Sequence, residues 1–428
     1  LVSLSAAAVF IALTYTPWAA SLWEGSAQEC AQLAGYMRVM ILALPVIAVT
    51  YLLVGLFQSM DHFVLQGSMS IPYNVALILF LALFAGKLGV GGYVAAVTGA
   101  WLLQMAMAVP YAVRERYVPR LRLDFKAPYV RTYFKTAAVT VLTTSIFLFC
   151  SLQDSSMTAG IPGSPVSAFY YADKLFTPLT TTLIYSISTV LFPKFSQEYS
   201  STDRDSYLGY IWSVLRSTLT LILPVSAVLA VFGTPIVQVL FQGGAFGADS
   251  TAATGGVFTL YALSMAGFCA LDLVSRAYYT MEKTLTPLLV NAGILALNWG
   301  LNRLLGPRMG GAGLALAPTI SRAWALVTGT ISTISITLGG VVLTALLLGK
   351  ARSVKLLPLL KSLLATLVTG GVLYLATDLV LTGSEGKLLL VAKCCGLGVV
   401  AVVLYVLLML LTRQEDLMAL VQRYRKGK

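Results

Sequence analysis

The chain has 428 residues, of which 58% are apolar and 11% charged, where a soluble domain carries roughly one quarter charged residues. With a mean hydropathy of +0.83, these figures exclude a soluble globular fold, a disordered chain, a coiled coil and a secreted disulfide scaffold, and leave an all-α polytopic membrane protein. The 29 basic and 17 acidic residues give a net charge of +12. The cations sit between apolar runs, so the excess reports topology before it reports a partner, and nucleic acid is not expected.

An apolar helix of about 20 residues crosses the hydrocarbon layer. Twelve stretches qualify, at 1–22, 39–57, 70–86, 90–113, 132–157, 166–192, 209–232, 254–275, 285–305, 311–347, 356–381 and 387–412. The first has no basic segment before it and is not read as a signal peptide; the sequence reads as one missing its natural start. The five cysteines, Cys30, Cys150, Cys269, Cys394 and Cys395, form no CxxC pair, and His62 is the single histidine. A metal centre or a His-based triad is therefore not expected.

Cations orient the spans. Arg114, Arg116, Arg120, Arg122, Lys126 and Arg131 lie between the fourth and fifth; Arg276 and Lys283 lie between the eighth and ninth. Lys350, Arg352 and Lys355 precede the eleventh, and Arg413, Arg423, Arg425, Lys426 and Lys428 fill the tail. With twelve spans all fall on one side, which the positive-inside rule makes cytoplasmic, the C-terminus included. The tenth stretch, 311–347, would reach about 55 Å as one helix. Breaks are expected at Gly329, Gly339 or Gly340, with one crossing plus an in-plane or protruding piece.

An internal repeat runs at an offset near 220 residues. Thr16-Pro17 and Trp23-Glu24-Gly25 answer Thr234-Pro235 and Phe241-Gln242-Gly243; Pro72 and Asn74 answer Pro287 and Asn291; Gly91-Gly92-Tyr93-Val94-Ala95 answers Gly310-Gly311-Ala312-Gly313-Leu314. The register pairs the first four spans with the seventh to tenth, and an even number of intervening spans makes the repeats parallel. Parallel repeats build two-lobed transporters with a site between the lobes. The expected divisions are a four-helix remainder of an N-lobe at 1–113, a basic cytoplasmic linker at 114–131 and a six-helix C-lobe at 132–347. Two extra helices at 356–412 and an amphipathic basic tail at 413–428 follow. Two further helices are expected before Leu1.

The second repeat carries the most informative residues. Ser167-Ala168-Phe169-Tyr170-Tyr171-Ala172-Asp173-Lys174-Leu175, Leu191-Phe192-Pro193-Lys194-Phe195-Ser196 and Leu240-Phe241-Gln242-Gly243-Gly244-Ala245-Phe246 follow one another in order. Ser275-Arg276-Ala277-Tyr278-Tyr279 and Thr284-Leu285-Thr286-Pro287 complete the series. It resembles the MurJ/MviN family, within the MATE-like exporter superfamily, over essentially the whole chain. The resemblance implies fourteen helices in two MATE-like lobes plus two C-terminal helices, with about twelve present here. It also implies a bacterial inner-membrane flippase, not an enzyme, that translocates lipid II, an undecaprenyl-pyrophosphate-linked muropeptide, in peptidoglycan synthesis. No cofactor is implied beyond Na⁺ or H⁺ as coupling ion, and a monomer among membrane lipids is expected. The family's arginines on its first two helices have no counterpart in this sequence; Lys174 stands where the family has arginine, and Thr177 where it has glutamate.

An ammonium nine residues into a span costs about 2.5–3.5 kcal/mol or more against lipid, so Lys174 reads as a cavity-facing cation suited to pyrophosphate, with snorkelling or a pair with Asp173 as the alternatives. Ser167, two turns earlier on the same face, reads equally as a substrate donor and as a helix N-cap. Asp173 reads as a structural hydrogen-bond partner within the same candidate substrate site. Asp154, Asn298, Asn302 and Thr319 offer hard oxygen donors, and the resemblance implies a cation site there. The residues themselves read first as inter-helix hydrogen bonding. Lys393 is expected to snorkel, Arg38 and Arg216 to sit near helix ends, and Arg322 has no assigned role. The eleventh and twelfth spans read as lipid-facing packing; by resemblance they form a groove for the polyprenyl tail. A MATE-type multidrug antiporter would want a carboxylate in place of Lys174, and a glycosyltransferase a catalytic acid or base and a sizeable outer loop. A flippase of another polyprenyl-pyrophosphate-linked oligosaccharide fits the same residues as lipid II.

Overall fold

The computed structural model describes residues 2–15, 27–60, 62–114, 166–310, 317–349, 356–381, 386–412 and 414. The expected span at 132–157 with Asp154, the linker beyond Arg114 and the tail apart from Gln414 lie outside the described residues. Helices dominate; among the described residues the β-type pairing is one isolated bridge, Gly243 to Phe246. The protein is a polytopic helical membrane protein, with eight described helical runs long and apolar enough to cross a bilayer. Two compact units divide the chain, Leu1–Asp124 and Phe125–Lys428.

The first unit holds α1 (Val2–Leu13), α2 (Ala27–Ile41), α3 (Ala43–Ser59), α4 (Phe63–Ser68) and α5 (Ser70–Arg114). Only Leu42 separates α2 from α3, and together they supply the run Gln28–Phe57. The expected spans 70–86 and 90–113 are two arms of α5. The chain turns at Gly89, whose φ of 56° and ψ of −151° suit glycine alone. Ring contacts between Tyr73 and Trp101 at 5.0 Å and between Phe80 and Tyr93 at 6.4 Å show the arms folded back on each other. Leu53, Phe57, Met69, Ala108 and Ala112 form the buried apolar cluster. Arg38 donates from Nε to Thr14 Oγ1 at 2.9 Å and from Nη2 to Thr14 O at 3.1 Å, and lies over the Tyr15 ring. It thereby closes the C-terminal end of α1, where carbonyls lack intrahelical donors.

The second unit is built from α6 (Val166–Thr180), a π-turn (Thr181–Tyr185), α7 (Ser186–Ser201), α8 (Arg204–Val231), α9 (Gly233–Phe241), α10 (Ala248–Thr280), α11 (Leu285–Gly310), α12 (Ala317–Leu348), α13 (Leu357–Val380) and α14 (Lys387–Leu411). At its centre is α10, which packs against α6, α8, α9 and α12. Lipid gives no hydrophobic drive for helices to associate, so close contact depends on small residues and inter-helix hydrogen bonds. Both are present. A Cβ at Gly340 would stand 2.5 Å from Gly267 O, and one at Gly267 2.5 Å from Thr337 Cα. Ser226 Oγ donates to Ala262 O at 2.5 Å, Thr259 Oγ1 to Ala230 O at 2.9 Å and Thr333 Oγ1 to Leu260 O at 2.7 Å.

This packing corrects the reading of the tenth stretch. Breaks were expected at Gly329, Gly339 or Gly340, yet α12 runs unbroken from Ala317 to Leu348. Those glycines are the surfaces that meet Leu260, Ile294 and Gly267. A glycine costs only about 1 kcal/mol inside a helix, which a close backbone crossing offsets. Among the described residues, the part long and apolar enough to span is Thr328–Leu348.

The last two helices, α13 and α14, are antiparallel and clasped at both ends. Lys361 Nζ donates to Thr412 O and Lys393 Nζ to Val380 O, each at 2.9 Å. Lys393 is therefore the cap of the neighbouring helix end rather than a snorkelling side chain, a placement favoured by the negative end of the helix dipole. Along α13, Lys361 and Val380 lie about 28 Å apart at ~1.5 Å per residue, close to the ~30 Å of the hydrocarbon core. Between the clasps the hairpin meets α8: Tyr405 OH donates to Thr220 O at 2.8 Å, Thr220 and Ser362 share a 3.0 Å hydrogen bond, and Gln414 is fully buried beside them.

Candidate functional site

Lys174 lies in α6, whose apolar side is fixed by Phe169 and Ala172 packed with Val237, Val257 and Phe258. Tyr171, on that side, meets the rings of Phe241 and Phe246 at 5.0 and 5.3 Å. Burial of this face leaves Ser167, Tyr170, Lys174 and Thr177 exposed, at the three- and four-residue spacing of one helix face. Lys174 Nζ stands 5.2 Å from the Tyr170 ring centroid, a cation–π contact. Asp173 lies about 100° round the helix from Lys174 and accepts a 3.1 Å hydrogen bond from Thr177 Oγ1.

The structure thus brings Ser167 and Lys174 onto one face and gives Asp173 a neutral local partner. Ser167 is not an N-cap, because Val166 before it is already helical. Tyr170 is a neighbour of the cation that sequence reasoning missed. Its signal was available, an aromatic residue four positions before a lysine on a helix.

The residues singled out for a cation site are only partly described. Asp154 lies outside the described residues, and Thr319 is on α12 with its side chain outside them, as is Arg322. Asn298 and Asn302 are both 1% exposed on one face of α11. Asn302 Nδ2 donates to Asn298 Oδ1 at 3.0 Å, and Asn298 Nδ2 donates to Ser332 Oγ of α12 at 2.9 Å. The two amides therefore tie α11 to α12. Ser332 escaped notice in the sequence because nothing there gave the register of α12 on α11. Among the described residues no group of three or more His, Cys, Asp or Glu side chains is placed to hold a metal ion.

A charged pair lies on α10. Arg276 was read as a loop cation because the apolar run ends at Ser275, but α10 continues to Thr280. Arg276 Nε donates to Asp272 Oδ2 at 3.0 Å, an i, i+4 ion pair with both side chains partly buried.

Residues 1–393 match the family model described as "Lipid II flippase MurJ". Among relatives, the lipid II flippase MurJ of Burkholderia cenocepacia is 24% identical over 286 residues, covering 65% of this chain and 55% of the relative. The probable lipid II flippase MurJ of Rhizobium meliloti is 26% identical over 298 residues, covering 67% of this chain and 54% of the relative. The chain spans about half the length of these relatives. A solved structure of a lipid II flippase MurJ in an inward closed conformation matches with a TM-score of 0.74 at 17% identity, over 97% of this chain and 83% of that one. The Vibrio cholerae MATE transporter VcmN in its bent form matches with a TM-score of 0.50 at 14% identity, over 82% and 78%. Identities this low carry the fold alone, and that fold is shared by the flippase and the MATE transporter.

Proposed function

The chain belongs to the lipid II flippase MurJ family, and from that premise we propose that it moves lipid II from the inner to the outer leaflet of the bacterial cytoplasmic membrane by alternating access. One observation carries the reading most directly: α6 exposes the ammonium of Lys174 at the position where the family resemblance expects an arginine, with Tyr170 and Ser167 on the same face. A pyrophosphate offers the charge and acceptor oxygens that such a cation binds. Lysine retains the charge of arginine and loses its two-pronged geometry, so the contact is a point-charge one.

The chemistry required is binding and release, without a covalent step. Ser167 supplies a hydroxyl donor two turns from the ammonium, and Asp173 keeps to Thr177, which leaves the cation available to an anion. A multidrug antiporter handling organic cations would want an unencumbered carboxylate on this face. Na⁺ or H⁺ as coupling ion rests on the family resemblance; Asn298 and Asn302, bonded to each other and to Ser332, read first as an inter-helix tie. The C-terminus lies on the cytoplasmic side, as the distribution of lysine and arginine requires, and the working unit is a monomer.

The test is genetic and chemical together. A strain depleted of its own flippase is supplied with the full-length protein, and lipid II in the outer leaflet is measured by its accessibility to an externally added degrading enzyme. Restored growth with accessible lipid II is expected. Correctly inserted protein with lipid II still confined to the inner leaflet would overturn the proposal.

A further inference from the structure

The helix that carries Lys174 is two helices end to end. The continuous run Ser167–Ser201 has 35 residues, about 52 Å at ~1.5 Å per residue, far longer than the hydrocarbon core. The fully buried side chains of its two parts belong to different clusters. Above, Phe169 and Ala172 of α6 pack with Val237, Val257 and Phe258. Below, Ile184 and Phe195 pack with Tyr207, Leu208, Ile211 and Leu215. From Asp173 to Leu183, Thr180 is the single buried residue.

Leu175, Phe176 and Leu179 are only partly buried there, Phe176 touching both clusters and the Tyr261 ring at 5.5 Å, and within this stretch the helical ladder is weakened at successive points. Pro178 has no N–H, so the carbonyl of Lys174 loses its usual i+4 donor and the ring crowds the preceding turn. The π-turn Thr181–Tyr185 follows directly, and such turns in helices are frequent at functional sites. Thr180 Oγ1 donates to Phe176 O and Thr177 O, and Thr181 Oγ1 to Thr177 O and Pro178 O, at 2.9–3.2 Å. Hydroxyls bonded back in this way bend helices and give carbonyls a partner when the ladder opens. The lower end of the stretch is fixed: the Tyr185 ring lies 5.9 Å from Phe268 of α10 and within electrostatic reach of the Asp272–Arg276 pair.

We propose that Pro178–Tyr185 is a hinge that repositions Lys174, with α6 swinging against α10 while α7 stays in place. The role of the movement rests on the reading of Lys174 as the substrate-binding cation; the movement itself does not. Thr180 and Thr181 are positioning residues: their hydroxyls hold the carbonyls of the preceding turn as the ladder opens and closes.

The test uses full-length, cysteine-free protein in lipid nanodiscs, with one spin label at Leu263 on α10 and a second at either Ser167 or Gln197, all exposed positions. In ligand-free protein the 263–167 distance distribution is expected to be broader than the 263–197 distribution by about 5 Å, one helical turn. The combined variant Pro178→Leu, Thr180→Val, Thr181→Val should narrow it to the 263–197 width. Equal widths in the unaltered protein would overturn the hinge, as would a broad 263–167 distribution that survives in the variant. With the second label moved to Leu175, which lies on α6 before Pro178 and leaves Ser167 intact, added lipid II should then shift the 263–175 distribution to one end of its range and leave 263–197 unchanged. A hinge present without that shift would sink the Lys174 reading and leave the hinge standing; translocation with equal widths would do the reverse.

Discussion

Two helices of the second unit, α10 and α14, are both long enough and apolar enough to cross a membrane, yet they are used in opposite ways. In α10, 61% of the most apolar window is buried inside the protein; in α14 the share is 17%. The more hydrophobic helix is the more exposed one. What separates them is small and hydroxylated residues. Gly255 and Gly267 of α10 bring neighbouring backbones into contact, and α8 and α12 send Ser226 and Thr333 to its carbonyls. The face of α14 that meets lipid is Leu and Val, with Leu388, Val399, Val402 and Leu407 among its exposed residues. Within a bilayer apolarity decides that a helix inserts, and close-packing groups decide where it goes.

The contrast can be broken first at its glycines. Gly340→Leu places a side chain against Gly267 O, where a Cβ alone would stand at 2.5 Å. Overpacking of this kind costs about 1–3 kcal/mol or more, so the variant is expected to lose several degrees of melting temperature in detergent and much of its yield. Gly371→Leu on α13, where a Cβ meets nothing within 4 Å, is expected to leave both unchanged. Equal losses at the two positions would contradict the packing account.

A smaller effect sharpens the comparison at the polar tie between α14 and α8. Tyr405→Phe removes the hydrogen bond to Thr220 O and keeps the ring. A loss of about 0.5–1.5 kcal/mol is expected, read as a modest drop in thermal stability with α13 and α14 still inserted.

How far the sequence reveals this arrangement follows from the same physics. Apolar runs are visible residue by residue, so the membrane-crossing helices among the described residues were legible, including the two arms joined at Gly89. Helix ends were less so: the apolar run that closes α10 stops at Ser275, but the Asp272–Arg276 pair lets the helix carry its charge to Thr280. Contact surfaces were least legible. Gly339 and Gly340 look the same in sequence whether they break a helix or seat it, and only the opposing Ile294 and Gly267 decide. In the candidate site, Lys174 stood out because a charge in an apolar run is costly. Ser332 did not, because a serine on a membrane helix is ordinary until its partner is known.

The smallest expected effect concerns helix ends. Gly386 gives α14 no side-chain cap. At the start of α8, Asp203 accepts hydrogen bonds from the Ser206 hydroxyl and from the amides of Asp205 and Ser206. Foremost the Ser206 hydroxyl, and with it these amides, hold the Asp203 carboxyl below its ordinary value. A carboxylate lowered in the folded state contributes stability above its unfolded value and loses it as pH falls through the folded one. Asp203→Asn keeps a good capping residue and removes the titration. The two proteins should differ little near neutral pH, and the unaltered one should lose slightly more stability on acidification below the carboxylate range.

The central claim is that the Lys174 ammonium binds the diphosphate of the substrate, and lipid II translocation in proteoliposomes of the full-length protein tests it most directly. A hydrogen bond to a charged group contributes about 1.5–3 kcal/mol, which is tenfold or more in rate where the contact matters. Lys174→Gln, which keeps a long polar side chain without the charge, is predicted to lose at least that much. Lys174→Arg is predicted to stay within a few-fold of the unaltered protein. Undiminished translocation by Lys174→Gln at equal incorporation would contradict the account.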